Sequence, residues 1–150
     1  MRPTQSCEAY IDGASRGNPG PAGVGVVVFD GTTRPVWQLA KPIGETTNNV
    51  AEYLALIYAL QEALRSGWTD LTVKSDSELL VRQMNGQYKV RDARLRIFHD
   101  LARHLKEGFA RCAIEHVPRA ENAAADRLAT QGARGEERNL RSSERLKPRS

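Results

Sequence analysis

The stretch that decides the fold is AYIDGASRGNPGPAG at residues 9–23, which joins two strand-like segments. Apolar and more polar residues alternate just before it, which is typical of a β-strand that ends at Asp12. The closely spaced Gly and Pro residues that follow predict a tight, irregular turn, and a second apolar strand comes after them. Asp12 is therefore expected at the end of a strand, beside a loop whose glycines allow a partner to approach the backbone. The alternative is that Asp12 only helps to form the turn.

The hydrophobic pattern of the rest of the chain predicts the element order βββαβααβα. Three strands at 5–12, 23–30 and 34–43 are separated by short turns, which indicates an antiparallel meander. Two later strands, at 71–75 and 110–117, follow helical segments and can pair in parallel with strand 1 through crossover connections. We therefore expect an α/β fold with a mixed five-stranded sheet, three antiparallel strands with two added in parallel, and helices on both faces.

The 150 residues are enough for one domain with a single core. The net charge of +4 is unevenly spread, because residues 132–150 hold six basic and three acidic residues. We predict one domain over residues 1–131 and a basic, disordered tail over residues 132–150. The tail is either a solvated end or a weak contact for nucleic acid.

Two features of the sequence bear on the cellular compartment in which the protein is found. No apolar run reaches the roughly 20 residues that a membrane span needs, and the start of the chain has no apolar segment typical of a secretory signal. Cys7 and Cys112 both lie in strand-like patterns, and neither has a second ligand at metal-binding spacing. We expect reduced cysteines and a cytoplasmic, monomeric protein with no membrane partner.

Four carboxylates are predicted to converge at one edge of the sheet. Asp12 and Asp76 each end a strand of the parallel pair, Glu52 lies in the first turns of a helix, and Asp126 lies in the last helix. Each also has an ordinary structural explanation. Glu52 could form a capping box with Asn49, Asp76 could cap a helix, and Asp126 could be a solvated charge.

Taken together, crowded carboxylates would repel one another unless they bind divalent cations, which prefer hard oxygen ligands. We expect Mg²⁺ or Mn²⁺, because no set of Cys and His ligands for zinc is present. A pair of such ions about 4 Å apart can activate a water molecule and stabilise the leaving oxygen of a phosphodiester.

Four sequence blocks occur in a fixed order: YIDGASRGNPGPAG at 10–23, TNNVAE at 47–52, KSDS at 74–77, and EN at 121–122 followed by DRLA at 126–129. Over residues 8–131 this set closely resembles type 1 ribonuclease H, and the predicted element order agrees with that fold. The resemblance implies endonucleolytic cleavage of the RNA strand of RNA–DNA hybrids with two metal ions, leaving 3′-hydroxyl and 5′-phosphate ends.

The resemblance also assigns residue roles. It implies that Asp12 bridges both metals and that Glu52, Asp76 and Asp126 complete the two coordination shells. Further residues are implied to contact the hybrid: Asn18, Asn48 and Asn49 in the minor groove, Thr47 at a DNA-strand phosphate and Arg91 at a second phosphate. The side-chain amides suit a 2′-hydroxyl because they both donate and accept hydrogen bonds, and the alternative for them is helix capping.

Two departures from the family pattern leave alternatives open. Many relatives place a histidine in the loop before the last helix, where this chain has Arg119, which we expect to contact a phosphate or the departing product. The basic protrusion found in many relatives is missing. There are three rival interpretations: another nuclease of the superfamily, a non-catalytic hybrid-binding module, or a piece of a larger enzyme. Ala14 argues against an exonuclease, since those usually carry an acid two residues after the first Asp.

Overall fold

The computed structural model describes residues 6–142, whose elements follow in the order βββαβααβαβ. The strands are β1 (Ser6–Ser15), β2 (Gly20–Phe29), β3 (Pro35–Thr46), β4 (Asp70–Ser75), β5 (Arg111–His116) and β6 (Arg138–Arg141). The helices are α1 (Asn48–Arg65), α2 (Glu78–Met84), α3 (Ala93–Lys106) and α4 (Ala123–Ala133), with a short 3-10 helix at Arg119–Asn122. None of the helices between residues 6 and 142 is long and apolar enough to cross a membrane.

All six strands form one mixed sheet in the spatial order β5-β4-β1-β2-β3-β6. β1, β2 and β3 form the antiparallel meander that the short turns predict. β4 pairs in parallel with β1, and β5 pairs in parallel with β4, which confirms the predicted crossovers. The parallel part of the sheet therefore has one edge at which the carboxyl ends of its strands meet.

Helices pack on both faces of the sheet, as predicted, because successive residues of a strand point to opposite sides. Gly25 of β2 faces α4 so closely that a Cβ atom there would lie 2.2 Å from the carbonyl oxygen of Ala125. Its neighbour Val24 points the other way and belongs to the main core together with Leu56 and Leu60 of α1. The glycine at position 25 therefore lets α4 lie against the backbone of the sheet.

The main core fills the space between the sheet and the helices on the α1 side. Its largest fully buried apolar side chains come from β1, β2, β4, α1 and α2: Ile11, Val24, Val26, Tyr53, Leu56, Leu60, Leu71, Val73 and Leu80. Burial of one such aliphatic side chain contributes about 1.5–3 kcal/mol, so this cluster accounts for much of the fold's stability. Cys7 and Cys112 are both free, as expected; Cys7 is buried and Cys112 is half-buried.

The sheet has one strand more than predicted, and the prediction of disorder from Gly132 onward is wrong for the residues that the structure describes. Helix α4 continues to Ala133, and β6 pairs in antiparallel fashion with β3, with Leu140 opposite Gln38. Its sequence, RNLR, has no apolar period, so local pattern reasoning missed it. Residues 143–150 of the predicted tail lie outside the described residues.

β6 is held by polar contacts rather than by apolar burial. The guanidinium of Arg141 donates to both carboxylate oxygens of Glu62 on α1, at 2.9 and 2.8 Å. Arg65 donates to the same carboxylate, and the indole N–H of Trp37 donates to Asn139 Oδ1 at 2.8 Å. Burial alone would raise the pKa of Glu62, but the hydrogen bonds from the two arginines outweigh it and lower that pKa.

We predict that Arg141→Ala lowers the free energy of unfolding by about 1–3 kcal/mol, because it removes two charge-assisted hydrogen bonds from a largely buried carboxylate. Arg138→Ala, in the same strand but exposed, is the matched control and should change stability by less than about 0.5 kcal/mol. Chemical denaturation at neutral pH measures both values. Equal stability of the two variants would mean that the contact between β6 and α1 does not stabilise the domain.

Candidate active site

The register of β1 and β4 brings two acidic residues together. Ile11 is paired with Ser75, the last residue of β4, so Asp12 and Asp76 are the next residues along the two strands. β1 does not end at Asp12, as the sequence pattern predicted, but continues to Ser15 in its pairing with β2. Asp12 therefore lies at the point where β4 leaves the sheet and its parallel pairing with β1 stops.

Glu52 reaches this point because α1 packs directly on the backbone of β1. A Cβ atom at Gly13 would lie 2.4 Å from both the carbonyl carbon of Ala51 and the backbone nitrogen of Glu52. The absence of a side chain at Gly13 thus serves the approach of a helix of the same chain. The Gly13 N–H donates to Glu52 Oε1 at 3.0 Å and holds the carboxylate beside Asp12.

The capping alternatives for Glu52 and Asp76 are wrong. Thr47 caps α1, since its hydroxyl accepts a hydrogen bond from the N–H of Val50, while Glu52 is bonded to β1 instead. Ser77 caps α2 in the same way, accepting from the N–H of Leu80 at 3.2 Å. The carboxylate of Asp76 is therefore not needed to begin the helix that follows it.

Asp12, Glu52 and Asp76 form a tight cluster, with one carboxylate oxygen from each lying within 4.8 Å of the others. Asp12 and Glu52 are each only 6% exposed, and Asp76 is half-buried. Burial and the neighbouring carboxylates raise the pKa of both Asp12 and Glu52. Like charges that are held this close disfavour one another's ionised forms.

Asp126 lies beside this cluster rather than within it. It is on α4 and half-buried, and its carboxyl group contributes to the raised pKa of Asp12. The position of α4 depends on Asn122, a fully buried residue whose amide donates to the carbonyl oxygen of Ile11 at 2.8 Å. Pattern reasoning did not single out Asn122 as a site residue, because its role depends on a contact between distant parts of the chain.

The predicted hybrid-binding residues differ in how close they lie to the carboxylates. Asn18, Asn48 and Asn49 are exposed next to the cluster, and Asn18 Oδ1 accepts a hydrogen bond from the backbone N–H of Asn48 at 3.0 Å. Arg119 is 81% exposed, and its guanidinium lies 4.0 Å from Asp126. Arg91 is exposed immediately before Asp92, the residue that caps α3. Across residues 6–142, no ion pair joins it to the carboxylates.

Comparison with known proteins agrees with this arrangement. Residues 10–132 match a family model described as "Reverse transcriptase-like". A curated relative, the ribonuclease HI of Halobacterium salinarum, is 47% identical over 123 residues, which are 82% of this chain and 62% of that protein. The crystal structure of RNase H1 from the same species superposes with a TM-score of 0.84 at 45% identity, covering 87% of this chain and 98% of that one.

The chain belongs to the type 1 ribonuclease H family. A further family member, LC11-RNase H1, solved in complex with an RNA/DNA hybrid, has a TM-score of 0.81 and 41% identity, with 86% of this chain and 97% of that chain covered. This chain spans about three fifths of the length of the curated Halobacterium relative. The family resemblance of the four sequence blocks and the expected fold are therefore confirmed.

The carboxylates of this ribonuclease H-like site fit a divalent cation. The donors are hard carboxylate oxygens, two of them are buried, and the one cationic side chain recorded against them within residues 6–142 is Arg119, next to Asp126. Bringing three carboxylates this close is unfavourable unless positive charge or protons compensate. An oxygen-only set of this kind suits hard divalent cations such as Mg²⁺, Mn²⁺ and Ca²⁺.

The raised pKa values predict how the metal-free protein responds to pH. A carboxyl group whose pKa is higher in the folded than in the unfolded state makes the folded state bind more protons, so stability falls as pH rises between those values. We expect the metal-free protein to lose more than about 1 kcal/mol of stability between about pH 5 and pH 8.

Thermal melts in EDTA across this pH range measure the effect, and Glu52→Gln is the variant to compare. This variant should show a flatter pH dependence because it removes one of the shifted groups. Added Mg²⁺ should restore stability most at the higher pH, where the ligands lose their protons more readily. A stability profile that rises with pH in EDTA would contradict the carboxylate repulsion argued above.

Proposed function

We propose that this chain is an endoribonuclease that hydrolyses the RNA strand of RNA–DNA hybrids with two divalent cations, leaving 3′-hydroxyl and 5′-phosphate ends. The observation that carries the proposal is the cluster of Asp12, Glu52 and Asp76 with Asp126 beside it, at a sheet edge bordered by exposed asparagines. The hybrid complex of LC11-RNase H1, a relative of the same fold, supports the substrate class.

The four carboxylates would hold the cations, Mg²⁺ or Mn²⁺. Asp12 is the natural shared ligand, because it lies within the tight cluster and Asp126 is also among the groups that raise its pKa. When bound, the cations would supply positive charge that lowers the pKa of an attacking water and stabilises the departing oxygen. The rigid contacts of Gly13 with Glu52 and of Asn122 with Ile11 would keep the ligands in place during the reaction.

The exposed polar residues would recognise the hybrid. Asn18 uses its amide oxygen within the protein, so its NH₂ group is the part left to donate to a base edge or a 2′-hydroxyl. Asn48 and Asn49 border the same side of the cluster, and Thr47 would approach a DNA-strand phosphate from the start of α1. Arg91 and Arg119 would add phosphate contacts, with Arg119 beside Asp126 and so near the product.

Two alternative functions have less support from the sequence than the endoribonuclease. A non-catalytic hybrid-binding module would be expected to have lost a metal ligand, whereas all four acidic positions are filled. An exonuclease of the same superfamily would be expected to carry an acid where Ala14 stands. A cytoplasmic location and a monomeric state stay predictions.

A cleavage assay on labelled substrates tests the activity. We expect internal cuts in the RNA strand of a hybrid with Mg²⁺ or Mn²⁺, and no cleavage in EDTA, because the carboxylates alone cannot stabilise the negative charge that develops. Duplex DNA should stay intact, since it lacks the 2′-hydroxyl groups that the asparagines would contact. Cleavage of duplex DNA at the same rate, or activity that survives EDTA, would contradict the proposal.

Asp76→Asn should abolish cleavage while leaving the fold intact. Asn is nearly isosteric with Asp, Ser77 rather than residue 76 caps α2, and the loss of one like charge favours the metal-free fold. Mg²⁺ should raise the melting temperature of this variant less than that of the wild type, because stabilisation by a ligand follows its affinity.

Asp92→Asn is the matched control for this experiment. Asp92 caps α3 by accepting hydrogen bonds from the N–H groups of Arg94 and Leu95, and Asn caps a helix about as well. This variant should keep both its stability and its cleavage rate. Normal cleavage by Asp76→Asn in a folded protein would remove Asp76 from the catalytic set.

A further inference from the structure

The side-chain amide of Gln83 joins helix α1 to the loop between α2 and α3. Gln83 is only 6% exposed, and both ends of its amide are paired. Its Oε1 accepts a hydrogen bond from the hydroxyl of the buried Tyr53 on α1 at 2.7 Å, and its Nε2 donates to the backbone carbonyl of Lys89 at 3.3 Å. Because an unpaired buried amide is costly, such a residue fixes the groups that it joins.

The loop that Gln83 contacts, residues 85–92, contains turns but no helix or strand. A second side chain holds it at the next position, since Arg96 Nε donates to the carbonyl of Val90 at 3.1 Å. Val90 is half-buried against the main core, whereas Lys89 and Arg91 on either side of it are exposed. The two hydrogen bonds therefore fix the backbone next to both exposed basic residues.

The 85–92 loop and the first turn of α3 carry exposed basic side chains. Across residues 6–142, Lys89, Arg91 and Arg94 form no salt bridge. The acidic residue between them, Asp92, uses its carboxylate to cap α3. Basic side chains on a protein surface that have no acidic partner are the groups that neutralise the phosphates of a nucleic acid.

The loop lies near the carboxylate cluster. Helix α2, which precedes the loop, begins two residues after Asp76 and has seven residues, so it spans about 10 Å. This length corresponds to about three nucleotides along one strand of a duplex. On the other side, Tyr53 directly follows Glu52 in α1. A duplex bound at the carboxylates can therefore extend over the loop.

We propose that Gln83 is a positioning residue for hybrid binding, which holds the 85–92 loop so that Lys89 and Arg91 contact phosphates of the hybrid. Lys89 is then a contact residue in addition to Arg91. This inference rests on the proposed function, because it assumes that the hybrid binds at the carboxylates. Without the bond from Gln83, only a fraction of the molecules has the loop in the binding conformation, and the apparent Kd rises by the inverse of that fraction.

Lys89→Ala tests the phosphate contact. Hybrid binding to the full chain is measured by fluorescence anisotropy in EDTA, where no cleavage is expected, at several salt concentrations. Loss of one phosphate contact should lower the slope of log Kd against log salt concentration by about 0.9. Arg103→Ala removes an exposed charge near the other end of α3 and should leave the slope unchanged. An unchanged slope in Lys89→Ala would overturn the contact.

Two variants test the positioning role. Tyr53→Phe keeps the bond from Gln83 to Lys89, so it should bind the hybrid as the wild type does. Tyr53→Phe with Gln83→Met replaces both buried partners by apolar groups of similar shape, a change that can be nearly neutral for stability. With about one molecule in ten in the binding conformation, its Kd should rise about tenfold. Its salt slope should not change, because the bound state keeps both basic side chains.

Two further measurements separate positioning from a general structural role. Thermal melts in EDTA establish that the variants are folded, and Gln83→Leu replaces Gln83→Met if the first double variant does not fold. Mn²⁺ binding by calorimetry should be the same in all variants, since none of them changes a carboxylate. Weaker Mn²⁺ binding by the double variant would overturn the positioning role, because the damage would then reach beyond the loop.

The remaining outcomes are also distinguishable. A folded double variant that binds the hybrid as tightly as Tyr53→Phe would overturn the positioning role, and so would a tenfold loss in Tyr53→Phe itself. A wild type that binds the hybrid without cleaving it would contradict the proposed function alone, and the comparison of the variants would still decide the role of Gln83. A wild type that does not bind the hybrid would overturn both.

Discussion

The contact between Gly13 and the first turns of α1 is the constraint on which the site depends. A Cβ atom at position 13 would lie 2.4 Å from the backbone of α1, so only glycine allows the helix to approach this strand. The same approach brings the Gly13 N–H within 3.0 Å of Glu52 Oε1. Packing and chemistry are therefore linked at one residue, since any side chain there would move the helix and with it an acidic group of the cluster.

The close approach of like charges in the cluster lowers the free energy of unfolding, and the rest of the fold has to offset this loss. Asp12 and Glu52 are buried beside Asp76, and both have raised pKa values because burial and like charge disfavour their ionised forms. The surrounding core of apolar side chains holds these elements in place without help from the cluster itself. A site under this kind of electrostatic strain has a high affinity for positive charge. The guanidinium of the flanking Arg119 supplies some of that charge, but it lies 4.0 Å from Asp126, beside the cluster rather than within it.

Much of this could be predicted from the sequence, because the relevant signals are local. Alternation and helical periodicity located the meander and the crossovers, and the strand ends placed Asp12 and Asp76 at one edge. The missed features depend on contacts between distant residues. β6 has a polar sequence and exists because Arg141 reaches Glu62 and because β3 offers a free edge. The alternatives that placed the caps at Asn49 and Asp76 instead of Thr47 and Ser77 arose because several capping residues stand side by side in both places.

Two glutamates on α1 show how the structure separates a stabilising carboxylate from a reactive one. Glu62 is largely buried but receives hydrogen bonds from Arg65 and Arg141, and its pKa is lowered. Glu52 is buried as well, yet its near neighbours are Asp12 and Asp76, and its pKa is raised. Burial is common to both, so the difference comes from the partners. Glu62 has the positive charge it needs within the fold, whereas between residues 6 and 142 no basic side chain is paired with Glu52, which fits its place in the site.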